Sequence, residues 1–355
     1  MLKKEDKMTS TLLPLTYDQE ILKLIDQRLL PTEEVYITVR TIEDSYRAIQ
    51  DMIVRGAPLI GFTGIWGMAL FVKHNPKATF EQFERAAAYL KSARPTAVNL
   101  AFEIDRCVEM AKLETHMSSL YPKLVAHAKS EMNNLYEKNL SMAKFAEIEL
   151  QRIYGDRPLN LMTICNTGVL ACGVLGTALG TIIHLNNKKK VKMVYASETR
   201  PYLQGSRLTS FELLKAGIDH KIVVEGAASY LMKNKLVDAI FAGADRIVEN
   251  GDTANKVGTS SLSIIAKHYG IPFYIVAPIS SFDLQLSTGE QIEIELRDPK
   301  EILQYKGLSI AHAEANALNP SFDVTDHTCI TGIICENGVI APTSPNAVRA
   351  IVEKI

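Results

Sequence analysis

Neither sign of charge is in excess in this 355-residue chain, where 39 Lys and Arg stand against 40 Asp and Glu for a formal net charge of -1. The balance removes the overall attraction on which polyanion or acidic-membrane binding rests, so neither a nucleic acid nor a membrane partner is expected. Cysteine is sparse and unpaired. Cys107, Cys165, Cys172, Cys329 and Cys335 are odd in number, scattered and without a C-x-x-C pair, which excludes a disulfide framework and fits a reduced, cytoplasmic setting. There is no H-E-x-x-H or similar ligand spacing, so no metal is expected. No G-x-G-x-x-G follows a strand-like run, which argues against a nicotinamide cofactor, and no other cofactor is indicated. The opening MLKKEDKMTS lacks the apolar core of a secretion signal and reads as a solvated tail, with Met8 a second candidate start. Internal repeats and low-complexity tracts are also missing.

At this length two domains are the prior. Leu12 to Val39 carries short apolar runs broken by Pro14 and Pro31, which suit small strands. From Thr41 the pattern turns helical, with Tyr46, Ile49, Met52 and Ile53 on one face, and runs into Arg55-Gly56-Ala57-Pro58. There Pro58 disfavours helical geometry at Ala57 and leaves an arginine beside exposed backbone N–H groups at a sharp turn. A helix is predicted over Phe80 to Ser92, and long periodic stretches follow from Val98 to about Tyr154. The turn-rich Gly155-Asp156-Arg157-Pro158 is the candidate boundary, giving a mainly helical domain over 1–155 with short N-terminal strands and a second domain over 156–355.

Pro158 to Asn187 contains no Lys, Arg, Asp or Glu. Its glycines, asparagines and His184 break the apolar content, so it reads as a buried strand at Leu161 to Ile164, a Gly-rich turn and a tightly packed helix, and not as a membrane span. Beyond it, strand-like runs at Leu161, Val191, Ile222, Val237 and Phe273 alternate with helical runs near Val169, Leu208, Ala227 and Leu262. That alternation predicts an α/β domain, a mostly parallel sheet with helices on both faces.

Chemistry concentrates at the ends of these strands. Val237 to Ala242 ends in Gly243 with Asp245 just beyond, where an open α/β sheet presents ligand-binding side chains. The following turn carries Asn255, Lys256 and Gly258, then a helix start at Thr259 to Ser261 whose free N–H groups suit an anion. Cys165 follows the strand Leu161 to Ile164 and should project at the same sheet edge. A cysteine hydrolase would need a histidine partner, and none has a distinguishing context. Arg55 with the Gly56 and Ala57 amides, Arg94, and Asn255-Lys256 are the candidates for an anion site. Gln204, in a loop after the strand Val191 to Ala196, is a candidate for a sugar hydroxyl.

The blocks RGAP (Arg55 to Pro58), SARPTAVNL (Ser92 to Leu100), TICNTG (Thr163 to Gly168), ETRPYLQGSRLT (Glu198 to Thr209), GADRIVENGDTANKVGT (Gly243 to Thr259) and NPSFDVT (Asn319 to Thr325) together resemble the 5-methylthioribose-1-phosphate isomerase family. That family is related in fold to the regulatory subunits of the translation initiation factor exchange complex. The resemblance spans nearly the whole chain and implies a helical N-terminal domain followed by a Rossmann-like domain, in a homodimer acting on a small sugar phosphate. It implies Cys165 and Asp245 as the catalytic pair, with Arg55, Gly56, Ala57, Arg94, Gln204, Asn255 and Lys256 binding substrate.

Departures cluster at Leu59, Phe62, Ile65 and Trp66, at Thr167, Cys172 and Gly173, and at Glu225-Gly226-Ala227. If the bulky Leu59, Phe62 and Trp66 border the C5 end of the sugar, they shorten the pocket. The expectation is therefore an aldose-ketose isomerase of a 5-modified ribose 1-phosphate, with a weak lean to 5-deoxyribose 1-phosphate over 5-methylthioribose 1-phosphate of methionine salvage. A noncatalytic sugar-phosphate or nucleotide-sensing subunit is the alternative of another class. The sequence leaves open whether Cys165 removes the C2 proton or stabilises a hydride shift.

Overall fold

The computed structural model describes residues 12–95, 97–341 and 344–353; the expected tail with Met8 lies outside them. The chain divides into two compact units. One comprises Thr11–Glu137 with Gly168–Gly176, the other Lys138–Thr167 with Thr177–Ile355.

In the helical unit, β1 (Leu15–Asp18), β2 (Ile21–Ile25) and β3 (Tyr36–Val39) form an antiparallel sheet in that order. Four helices follow: α1 (Ile42–Gln50), α2 (Ala57–His74), α3 (Phe80–Lys91) and α4 (Val98–Lys112). Thr41 with Asp44, and Thr79 with Gln82, close capping boxes that start α1 and α3 by satisfying their first N–H groups. Every residue of α2 from Leu59 to Leu70 is buried. A helix apolar all round is a central one, and the others pack about it.

Helix α5 (Leu120–Tyr154) is long because nothing between Leu124 and Tyr154 is Gly or Pro. The division between units falls inside it, at Glu137, and not at the turn Gly155 to Pro158. That turn ends the helix without ending a core, since Leu120, Leu124 and Ala128 are buried with the helical unit and Met142, Ala146 and Leu150 with the sheet unit.

The sheet unit contains β4 (Leu159–Thr163), α7 (Ala178–Asn187), β5 (Val191–Ser197), α8 (Ser210–Lys215), β6 (His220–Val223), α9 (Ala228–Lys233), β7 (Ala239–Ala242), β8 (Arg246–Val248), β9 (Thr253–Lys256), α10 (Thr259–Tyr269) and β10 (Phe273–Val276). The short α6 (Val169–Cys172) belongs to the helical unit. Then come β11 (Phe282–Asp283), α11 (Lys300–Leu303), the small hairpin β12 (Gln304–Tyr305) and β13 (Leu308–Ser309), β14 (Phe322–Thr325), β15 (Gly332–Cys335), β16 (Gly338–Ile340) and α12 (Pro345–Val352).

Seven strands form the main sheet in the order β16-β15-β10-β7-β4-β5-β6, parallel except for β16. Alternate side chains of each strand enter opposite cores. Leu161, Val194, Phe241 and Val276 pack with α7 and the end of α5, whereas Met162, Tyr195, Ile240 and Ile275 pack with α9 and α10. Both faces are covered, as the near-continuous apolar strands require. Among the described residues no helix is long and apolar enough to cross a membrane.

A second sheet, β11-β8-β9-β14, departs from the expected loop between Asp245 and Gly258. Strands β8 and β9 pair antiparallel across Glu249-Asn250-Gly251-Asp252, where Gly251 takes φ +91 and Asn250 caps the turn by accepting the Asp252 N–H. An Asn-Gly pair between short alternating segments is a hairpin signal, and here it makes a hairpin in place of the expected loop.

Candidate active site

The chain leaves β4 toward β5 and β6 on one side, then returns to β7 on the other side of β4 and continues outward to β10 and β15. The order thus reverses between the neighbours β4 and β7. In open parallel sheets the crevice beyond the carboxyl ends at such a reversal is the ligand site, because the two connections diverge there. Cys165 stands two residues beyond the end of β4 and Asp245 three beyond the end of β7. The two loops also touch: a Cβ on Gly243 would come within 2.7 Å of Thr167 Cγ2. Both expected catalytic residues therefore lie at one sheet edge.

Cys165 is partly exposed and has a left-handed backbone, φ +62. For a residue with a Cβ this costs roughly 1–2 kcal/mol. Its N–H donates to Thr199 Oγ1 at 2.8 Å, and its carbonyl accepts from Thr209 Oγ1 at 2.5 Å. Thr199 Oγ1 in turn donates to the Ser197 carbonyl, while the Thr199 N–H and the Ser197 hydroxyl both donate to Glu225 Oε1. Asn166 bridges Thr209 Oγ1 and Glu212 Oε1. Burial and the nearby Glu225 carboxylate push the Glu198 carboxyl up from its ordinary range. Asp245 is exposed, its N–H donating to the Ala254 carbonyl. Burial therefore does not favour the protonated form of its carboxyl in this structure.

Gln204 is buried, and among the described residues its Oε1 has no hydrogen-bond partner. A buried amide oxygen left so is costly unless a ligand supplies the donor. It precedes a π-helical turn at Gly205–Thr209, and Gly205 is obligatory, since a Cβ would lie 1.6 Å from the Ser197 carbonyl oxygen.

Asn255 and Lys256 are consecutive in β9, so their side chains leave on opposite faces. Asn255 is buried and donates to Thr259 Oγ1; Lys256 Nζ donates to the Ser321 carbonyl and lies 5.1 Å from the Phe322 ring centroid. The helix start expected to cradle an anion already holds one. Asp323 Oδ2 accepts the Gly258 N–H at 2.7 Å and its Oδ1 the Ser260 N–H at 3.1 Å. The carboxylate comes from β14, 63 residues or more along the chain, which is why the local sequence did not reveal it.

The remaining expected residues belong to the helical unit. Arg55, buried to 9% exposure, immediately precedes α2, whose N-cap Gly56 has φ +88 and no side-chain cap. Gly56 must be glycine, because a Cβ would sit 2.3 Å from the Ala171 carbonyl oxygen. Arg94 precedes α4, whose N-cap Ala97 likewise lacks a side-chain cap. Gly61 of α2 faces Glu103 and Asn99 of α4 and Gly64 faces Leu100 and Ile104, so the N-terminal portions of the two helices pack against each other. Their two uncapped N-termini and two arginines stand at the same end, a concentration of N–H groups and positive charge suited to phosphate.

Leu59 and Phe62 pack at Gly173, where a Cβ would meet Phe62 Cδ2 at 3.0 Å and Leu59 Cδ1 at 3.3 Å. Trp66 instead stacks on Tyr17, with ring centroids 4.0 Å apart in the core of the helical unit. Its bulk is accounted for by packing.

Residues 53–342 match the model of the initiation factor 2 subunit family. A methylthioribose-1-phosphate isomerase of Natranaerobius thermophilus is 40% identical over 339 residues, covering 93% of this chain and 96% of that one. The chain belongs to this family, in its methylthioribose-1-phosphate isomerase group. The crystal structure of 5-methylthioribose 1-phosphate isomerase from Pyrococcus horikoshii OT3 superposes with a TM-score of 0.91 at 38% identity, covering 98% of both chains. A structure described as translation initiation factor eIF-2B, subunit delta, from A. fulgidus gives 0.89 at 34%, covering 97% of this chain and 100% of the other. The Rossmann-like sheet domain and helical N-terminal region are those of the family.

Sequence reasoning missed Thr199, Thr209 and Glu225 around Cys165. Thr199 and Thr209 stand at the two ends of the block ETRPYLQGSRLT, and Glu225 falls in the departure Glu225-Gly226-Ala227, but neither signal says which residue they bond.

The structure also gathers Asp252, Asp326 and His327, with ligand atoms within 4.8 Å of one another. Asp252 Oδ1 accepts the His327 N–H and Nδ1–H, and Oδ2 accepts from Asn250 and Gly289. These bonds tie the β8–β9 turn to the segment after β14.

Proposed function

We propose that the protein is an aldose-ketose isomerase that converts 5-methylthioribose 1-phosphate to the ribulose 1-phosphate. The observation that supports this most is the pairing of Cys165 and Asp245 beyond neighbouring strands at the reversal of strand order. The names of relatives about 40% identical over nearly the full chain agree with it. The substrate has no free aldehyde, because its C1 oxygen is esterified. The ring must therefore open with phosphate in place.

Asp245 protonates the ring oxygen, the C1–O bond to the ring breaks, and C1 gains cationic character. The C2 hydrogen then passes to C1 and the C2 hydroxyl loses its proton, leaving the ketone. Cys165 takes the C2 proton and returns it at C1, or stabilises the transition state of a direct hydride shift. Since Asp245 is exposed, the bound substrate must itself favour the acid form, by covering the carboxyl and by bringing phosphate charge near it. In the helical unit Arg55, the Gly56 and Ala57 amides and Arg94 are the groups suited to phosphate, and in the sheet unit Lys256 is the cation. Gln204 Oε1 accepts from a sugar hydroxyl, and Asn255, bonded to Thr259, orders the turn that follows Lys256.

The lean toward a shorter C5 group rested partly on Trp66, whose side chain is committed to the Tyr17 stack. Without it, methylthioribose 1-phosphate is the substrate we favour. The homodimer implied by resemblance belongs to the same proposal and is checked by light scattering. The functional test is turnover of purified 5-methylthioribose 1-phosphate and 5-deoxyribose 1-phosphate, followed by NMR. A kcat/KM ratio favouring the methylthio sugar supports the reading. A clear excess for the deoxy sugar restores the short-pocket idea. Binding without turnover of either sugar means a sensing subunit.

A further inference from the structure

We propose that Thr199 and Thr209 are positioning residues that clamp Cys165 in its left-handed conformation, with Glu225 holding Thr199 in place. The proposal rests on the reading of Cys165 as the reacting thiol. Cys165 at +62 and Thr199 at +64 are among the non-glycine residues that adopt positive φ, a conformation their side chains resist. For a β-branched residue such as threonine this is a genuine outlier, which persists only where its surroundings over-determine it.

The surroundings are on hand. The two left-handed residues are joined directly, Cys165 N–H to Thr199 Oγ1, and Thr199 is fully buried. Its hydroxyl can accept that N–H only while its own proton points away, and that proton is given to the Ser197 carbonyl at 3.0 Å. The Thr199 N–H donates to Glu225 Oε1 at 2.5 Å, so the carboxylate fixes the backbone whose hydroxyl fixes Cys165. On the other side the Thr209 hydroxyl donates to the Cys165 carbonyl and accepts from Asn166 Nδ2. Both backbone polar groups of Cys165 are thus held by side-chain hydroxyls from the β5 loop and the π-helical turn, and not by a regular ladder.

A β-strand would send the side chain of a residue beyond its end along the alternation of the strand. The left-handed turn redirects the Cα–Cβ bond of Cys165, and the clamp keeps that direction. Holding a reacting group within an ångström of its working place matters greatly to rate, while substrate affinity, which draws on many other contacts, is left alone.

The test compares Thr199→Val, which keeps the shape and loses the hydroxyl, with Thr199→Ser, which keeps the hydroxyl. Thr199→Val should lower kcat on the order of 100-fold with KM unchanged, and Thr199→Ser should restore most of it. In parallel, iodoacetamide labelling of Cys165, read by peptide mass spectrometry, should be faster in Thr199→Val and at the wild-type rate in Thr199→Ser. Thr209→Val and Thr209→Ser repeat both comparisons if Thr199→Val does not fold. An effect on KM alone, a serine variant as impaired as the valine, or Cys165 labelling no faster in Thr199→Val overturns the clamp. Failure of the underlying reading looks different. Cys165→Ser would then turn over at the wild-type rate, and the labelling comparison would still decide the clamp.

Discussion

Asp323 reaches from β14 to the start of α10 and accepts the backbone N–H of Gly258 at 2.7 Å. A helix start read from sequence as a place for substrate phosphate is thereby satisfied from within the protein. Asp323→Ala should destabilise the fold by roughly 1–3 kcal/mol, the cost of losing a cap and stranding N–H groups. Asp323→Asn should cost less, since its amide oxygen still accepts one of them. Urea denaturation of the three proteins measures the order; an alanine variant as stable as wild type would leave the capping role without support.

Two aspartates should respond to pH with opposite signs. Burial, opposed by the N–H groups of Ser260 and Gly258, pushes Asp323 above its ordinary 3.8. What it adds over Asp323→Asn is thus fully present below pH 3.8 and lost as pH rises through the higher folded value. For Asp252, burial is outweighed by hydrogen bonds from His327, Asn250 and Gly289, which hold it below 3.8. Its advantage over Asp252→Asn is present above pH 3.8 and lost as pH falls through the lower folded value. Denaturation midpoints of each pair across pH 3 to 7 should therefore diverge in opposite directions, and parallel trends would contradict the assignment.

The cysteines should separate by reactivity. Cys107, Cys172 and Cys335 are buried, and burial pushes the Cys107 thiol up to about 12, whereas Cys165 and Cys329 are partly exposed. Brief alkylation of the native protein should label Cys165 and Cys329 and spare the other three. Saturating substrate should then protect Cys165 and leave Cys329 unchanged, and equal protection of both would argue against a thiol at the sugar.

Two glycines with positive φ should differ in what an added methyl costs. At Gly56 the new Cβ meets the Ala171 backbone at 2.3 Å, while at Gly155, φ +66, nothing lies within 4 Å. Gly155→Ala carries only the conformational penalty, about 1–2 kcal/mol. Gly56→Ala adds overpacking, for a total of roughly 2–5 kcal/mol. Thermal unfolding of both variants gives the comparison, and equal losses would mean that the Gly56–Ala171 approach relaxes freely.

Much of this architecture was legible beforehand, because periodicity and turn chemistry are local. The alternation of apolar strands with helices points to the parallel sheet, and the apolar runs Leu161 to Ile164 and Val237 to Ala242 place Cys165 and Asp245 at strand ends. What was not legible depended on partners distant in the chain. Asp323 at the start of α10, Thr199 and Thr209 on Cys165, and Trp66 against Tyr17 all join residues dozens apart. The β8–β9 hairpin was missed for another reason: an Asn-Gly turn rich in acids serves equally well as a ligand loop, and only the pairing of β9 with β14 decides between them.

In the proposed mechanism Cys165 and Asp245 do the chemistry. The most direct test is the pair Cys165→Ser and Asp245→Asn, assayed for kcat on saturating 5-methylthioribose 1-phosphate and for substrate binding by calorimetry. Both variants should lose turnover by about 100- to 10,000-fold, the range for removing a positioned proton-transfer group, while binding substrate with near wild-type affinity. Near wild-type turnover at saturation in either variant would contradict the assignment of that residue and, with it, the proposed mechanism.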